Sequence, residues 1–134
     1  MKNIFKIIIV IYFFTSAILH ATQEHNPNIK HKQKLLLENG YKAILSSNTS
    51  FIVGENTLNI IITKNNSFVK NADVNIIFAL PTIPNMEFIE HAKEEKEKYS
   101  LTANFKEIGE WEYELMFKTS YGTIYSQEGR VTIN

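Results

Sequence analysis

From residue 72 onward, large apolar side chains fall on every second position. In Ala72–Leu80 they are Val74, Ile76, Phe78 and Leu80. In Tyr99–Lys106 they are Tyr99, Leu101, Ala103 and Phe105, and in Trp111–Lys118 they are Trp111, Tyr113, Leu115 and Phe117. Ser100, Thr102 and Asn104, and then Glu112, Glu114, Met116 and Lys118, fill the positions between. A repeat of two with one mainly polar face predicts antiparallel strands covered on one side. Leu58–Thr63 adds a β-branched run between the turn-forming segments Gly54-Glu55-Asn56 and Lys64-Asn65-Asn66. These elements predict an all-β, immunoglobulin-like antiparallel β-sandwich of about seven strands over residues 39–134. Val74, Ile76, Phe78, Leu101, Phe105, Trp111, Tyr113 and Leu115 are its expected core.

Two stretches fit the pattern less directly. In the last segment Ile124 sits on an even number, while Val131 and Ile133 sit on odd ones. A bulge at Gly129 is expected to shift the register; the alternative places Tyr125, not Ile124, against the core. Glu87–Lys98 is rich in helix formers that Asn85 could cap, yet it carries no apolar stripe for docking. A charged loop or an edge strand is the preferred reading, with helix as the alternative.

The chain begins differently. Lys2 and Lys6 precede an apolar stretch from Ile7 to Leu19, which is shorter than a membrane span and suits a signal peptide. Residues 1–21 are assigned to that signal, with cleavage after Ala21 preferred over a cut at Thr15-Ser16-Ala17. Export to the periplasm follows; the alternative is an uncleaved anchor in the inner membrane. Residues 22–38 read as a polar, flexible lead-in, with Thr22–Gln33 expected to lack fixed structure.

Composition narrows the functional classes. The 134 residues carry 14 basic and 14 acidic side chains and no cysteine. Absent thiols exclude a disulfide framework, a zinc ribbon and a thiol nucleophile. Balanced charge gives no case for nucleic acid or for direct membrane association after cleavage. No phosphate-binding glycine loop, HExxH or GxSxG occurs, so a non-enzymatic role is expected. Glu110, Glu112 and Glu114 share one strand face and are expected to be solvated. Trp111 is expected in the core rather than as a cation platform.

The segment Leu80-Pro81-Thr82-Ile83-Pro84-Asn85-Met86 is a proline-stiffened connection at one end of the sandwich. It lies within an ordered set of landmarks: Val53-Gly54-Glu55-Asn56, Ala72-Asp73-Val74, the loop with Met86, then Tyr99 and Gly109-Glu110-Trp111. Over residues 40–134 this order resembles YtkA-like and FixH-like exported domains, and small periplasmic copper-resistance determinants of epsilon-proteobacteria. The resemblance implies copper binding, resistance or delivery, with Cu(I) the favoured ion. Fuller versions of the loop read M-P-x-M-P-x-M; here Leu80 and Ile83 occupy the first two methionine positions and Met86 the third. The expected ligands are Met86 and His91, with His25 or His31 as an arm from the lead-in, because thioether and imidazole suit Cu(I). The alternative leaves Met86 as a gap filler and the histidines in solvent. A second functional class is a metal-free interaction module that docks on a membrane efflux or respiratory-oxidase assembly partner.

Overall fold

Alternating burial along the strands that carry Tyr99 and Trp111 produces a sheet that must fold over its own apolar face. The computed structural model describes residues 31–36 and 38–134. Its strands are β1 His31–Leu36, β2 Tyr41–Ser47, β3 Gly54–Lys64, β4 Ser67–Phe68, β5 Asp73–Ala79, β6 Glu87–Glu95, β7 Lys98–Phe105, β8 Gly109–Lys118 and β9 Ile124–Ile133. A single 3-10 turn, Glu38–Gly40, joins β1 to β2. All pairings are antiparallel, in the order β1-β2-β3-β7-β6-β5-β8-β9, with β4 attached to β3. The all-β sandwich expected from the alternation is the fold observed.

Strand β6 makes the corner. Residues Glu87 to Ala92 pair with β5, and Lys93 to Glu95 pair with β7, so one strand belongs to both layers. A strand that switches sheets in this way is a standard means of closing a sandwich. Across the core, the Tyr41 ring of β2 lies 5.3 Å from Phe117 of β8 and 4.6 Å from Tyr125 of β9. All eight expected core residues are buried.

Three expectations are corrected. The lead-in to residue 38 contains a strand, since His31–Leu36 pairs with β2 from His31↔Ser47 to Leu36↔Lys42. An edge strand needs only its backbone to pair, so its polar sequence gives no alternation to read. The signal segment and residues 22–30 lie outside the described residues. Glu87–Lys98 is the strand of the preferred reading, but not at an edge: it forms β6, which lies between β5 and β7, then a tight turn with Lys96 at φ 56° and the start of β7. Phe88 and Ala92 supply the inward face that the surrounding charge obscures.

The third correction concerns β9. Its register with β8 runs without interruption from Gly109↔Ile133 to Lys118↔Ile124, so Gly129 is not a bulge. Tyr125 faces inward and Ile124 is 65% exposed. Gly129 is required for a different reason. It pairs with Tyr113, and a Cβ on residue 129 would lie 2.4 Å from the tyrosine Cζ. The buried phenol ring therefore lies directly against the glycine backbone.

Candidate functional site

The loop between β5 and β6 continues their ladder before it turns. Leu80 N–H donates to Met86 O at 2.9 Å, Ile83 N–H to Leu80 O at 3.1 Å, and Met86 N–H to Ile83 O at 3.3 Å. Positions 80, 83 and 86 are thus tied to one another by backbone bonds, while Pro81 and Pro84 restrict the chain between them. Asn85 completes the turn at φ 63°, a conformation that asparagine adopts more readily than most residues. Leu80 is buried, and Ile83 and Met86 are half-buried against the core.

Met86 and His91 do not form one site. Met86 immediately precedes β6 and packs on the core side with Phe88, whereas His91 is an exposed residue of β6. An odd separation of five along an extended strand puts two side chains on opposite faces, about 16 Å apart along the chain. His31 opens β1, which is four strands from β6 in the sheet order. His25 lies outside the described residues. Among the described residues, no group of three or more His, Cys, Asp or Glu side chains is placed to hold a metal ion.

The landmarks around the loop have local structural tasks. Asn56 is buried; its Oδ1 accepts from Ile52 N–H at 3.0 Å, and its Nδ2 donates to Ile52 O at 2.8 Å and Gly54 O at 2.9 Å. Asn56 thereby pins the turn in which Gly54 adopts φ 104°. Tyr99 hydroxyl donates to Val69 O at 2.7 Å and accepts from Ala72 N–H at 3.0 Å, which fixes the entry to β5. Trp111 Nε1 donates to Glu107 O at 3.0 Å. Gly109, at φ 137°, brings the backbone so near Leu80 that a Cβ would lie 3.1 Å from its Cδ1. This last contact ties the start of β8 to the base of the loop.

One soft donor that the sequence reading did not single out, Met116, lies on the outer face of β8. His91 pairs with Asn75, Asn75 pairs with Met116, and Met116 pairs with Ser126. Directly paired residues share a face, so His91, Asn75 and Met116 form one row. The next row holds Ile89, Ile77, Glu114 and Glu128. The outward position of Met116 is visible in the alternation of β8, but its neighbours require the register.

The outer carboxylates are not simply solvated. Burial pushes the Glu114 carboxyl above its ordinary value near 4.5; repulsion from Glu128 adds to this and a hydrogen bond with Ser126 opposes it. Burial likewise raises Glu112, against the attraction of Arg130 and with repulsion from Glu110 and Glu128. Arg130 contacts Glu110 at 2.9 Å and Glu112 at 3.3 Å. A raised carboxyl pKa means that the folded state holds the proton more tightly than the unfolded chain. Stability is therefore expected to fall as pH rises from about 4.5 through the raised values. Glu114→Gln should flatten part of that decline and raise stability at neutral pH, read from urea midpoints across the acidic range. An unchanged pH profile would contradict the assignment.

The YtkA-like family model matches residues 36–116, from the last residue of β1 to near the end of β8. No curated protein and no solved structure gives a significant match to the chain. The matched span contains each landmark whose structural task is described above, together with the whole β5–β6 loop. The chain belongs to the YtkA-like family.

Proposed function

We propose that this YtkA-like domain is an exported, non-enzymatic protein that binds copper in the periplasm and serves copper resistance or delivery. The observation that carries this reading is the β5–β6 loop. Its backbone ties together positions 80, 83 and 86, the three that are methionines in fuller versions of the resembling domains, and it keeps the thioether of Met86 half-exposed. Kinship to FixH-like domains and to copper-resistance determinants of epsilon-proteobacteria belongs to the same reading. Thioether sulfur favours Cu(I) over harder ions. In the producing bacterium, removal of the protein should lower copper tolerance or copper loading of respiratory oxidase. A deletion strain unchanged in both would contradict the proposal.

A second reading, docking on an efflux or oxidase-assembly partner without metal, draws on the surface near the same loop. Val53 N–H donates to Asn134 O and Asn134 N–H donates to Phe51 O, so the β2–β3 connection runs beside the end of β9. Ile52 and Ile108 are exposed at that end. Ile52→Lys with Ile108→Lys should then reduce co-purification with the membrane partner without changing the fold. Retained co-purification would exclude this surface.

A further inference from the structure

We propose that a second copy of this chain pairs with the open edge of β9 through its own β9, antiparallel and about a two-fold axis at Gly129. The inference is independent of the copper reading.

The hairpin between β8 and β9 fixes which backbone groups of β9 face that edge. Thr119 N–H donates to Thr123 O at 2.9 Å, in the register that continues from Lys118↔Ile124. Hydrogen-bonded pairs alternate with non-bonded pairs along an antiparallel ladder. Odd-numbered residues of β9 therefore direct N–H and C=O at β8, whereas Ser126, Glu128, Arg130 and Thr132 direct theirs away from it. Asn134 continues this series: its N–H donates to Phe51 O at 3.1 Å, and its C=O accepts from Val53 N–H at 3.3 Å. The β2–β3 connection thus closes the edge at Asn134. β9 is last in the strand order, so no strand among the described residues pairs with it from Ser126 to Thr132.

Exposed edges are usually blunted by lysine, by proline or by a bulge. At the other end of the strand order, β1 carries Lys32 and Lys34. β9 is ten residues long with neither lysine nor proline, and its register with β8 is unbroken. It is therefore an edge on which another strand can add by main-chain hydrogen bonds.

The charges on β9 identify the added strand as a second β9. With the axis at Gly129, Ser126 of each copy lies opposite Thr132 of the other, and Glu128 of each lies opposite Arg130 of the other. Side chains directly opposite have Cβ atoms about 5 Å apart, close enough for an ion pair at both symmetry-related positions. Within one copy Glu128 faces Glu114, while Arg130 contacts Glu110 and Glu112. Arg130 of the partner subunit would add positive charge beside the Glu114 and Glu128 carboxylates. Neighbouring registers are worse. An axis at Glu128 sets that carboxylate opposite itself, and like charges directly opposite destabilise a sheet. An axis at Arg130 sets two guanidinium groups together and runs the partner strand into Phe51–Val53. A surface that complements itself in one register is what an isologous dimer requires.

Sedimentation equilibrium of the purified full chain tests the dimer, with amide exchange as a second readout. The wild type should dimerise reversibly, and exchange at the N–H groups of Ser126, Glu128, Arg130 and Thr132 should slow as concentration rises. Glu128→Arg and Arg130→Glu each set like charges opposite one another at both positions, and each should weaken the dimer about tenfold or more. Glu128→Arg also places a cation opposite Glu114, so its urea midpoint should not fall. An equimolar mixture of the two variants restores opposite charges at both positions and should dimerise within about threefold of wild type. A wild type that stays monomeric up to millimolar concentration would overturn the proposal. So would a dimer that neither substitution weakens, a mixture of folded variants that stays monomeric, or slow exchange of those four groups in the monomer.

Discussion

Replacing Trp111 by Ala is expected to destabilise the domain by roughly 3–5 kcal/mol, the range for truncating a large buried aromatic. Trp111 is fully buried, and its ring centroid lies 5.2 Å from Phe105 and 5.7 Å from Phe88, both in edge-to-face contact. Phe105 and Phe88 also contact Phe78, so the indole completes a cluster contributed by β5, β6, β7 and β8. The mutation would remove contacts to more than one strand and leave a cavity that paired backbones cannot easily close. It would also leave Glu107 O without the indole donor that anchors the turn into β8. Equilibrium urea unfolding measures the cost; a loss below about 1 kcal/mol would contradict a closely packed core.

Gly129→Ala is expected to cost about 3 kcal/mol, at the upper end of core overpacking. The added methyl would lie 2.4 Å from Tyr113 Cζ and Oη and 2.9 Å from Cε1. Tyr113 is itself fully buried, and its ring lies 6.0 Å from Phe78, so it has little room to retreat. The cost is a steric interaction between two particular side chains. In a double-mutant cycle, Gly129→Ala should therefore cost much less in a Tyr113→Ala background than in the wild type. If the two effects simply add, Gly129 serves only its own backbone conformation, as a bulge would require.

The sequence is easiest to interpret where side chains alone record the environment. Strands β5, β7 and β8 alternate because one face of each lies in the core, and their buried residues can be named without a structure. Strand β1 leaves no such record, since pairing at an edge uses backbone groups that every residue carries. In β6, Phe88 and Ala92 do alternate, but glutamates and lysines on either side obscure two inward positions. In β9, Ile124 and Tyr125 are both apolar, and composition cannot choose which one faces inward.

The candidate site was harder to read because it depends on register. Met86 and His91 are close in sequence, and a loop could have brought them together; a strand instead places them on opposite faces. His91, Asn75 and Met116 are distant in sequence and become neighbours only through two antiparallel pairings. The family landmarks were visible, but their chemistry was not. Asn56, Tyr99, Gly109 and Trp111 hold turns and strand entries, so they report the fold rather than the ligand.

The most direct measurement is the uptake of Cu(I) by the purified chain in competition with a calibrated chelator. Saturation at one equivalent is expected, with Zn(II) competing weakly because it lacks the preference of Cu(I) for thioether sulfur. A chain that leaves all Cu(I) with a weak competing chelator would contradict copper binding as the function of this domain.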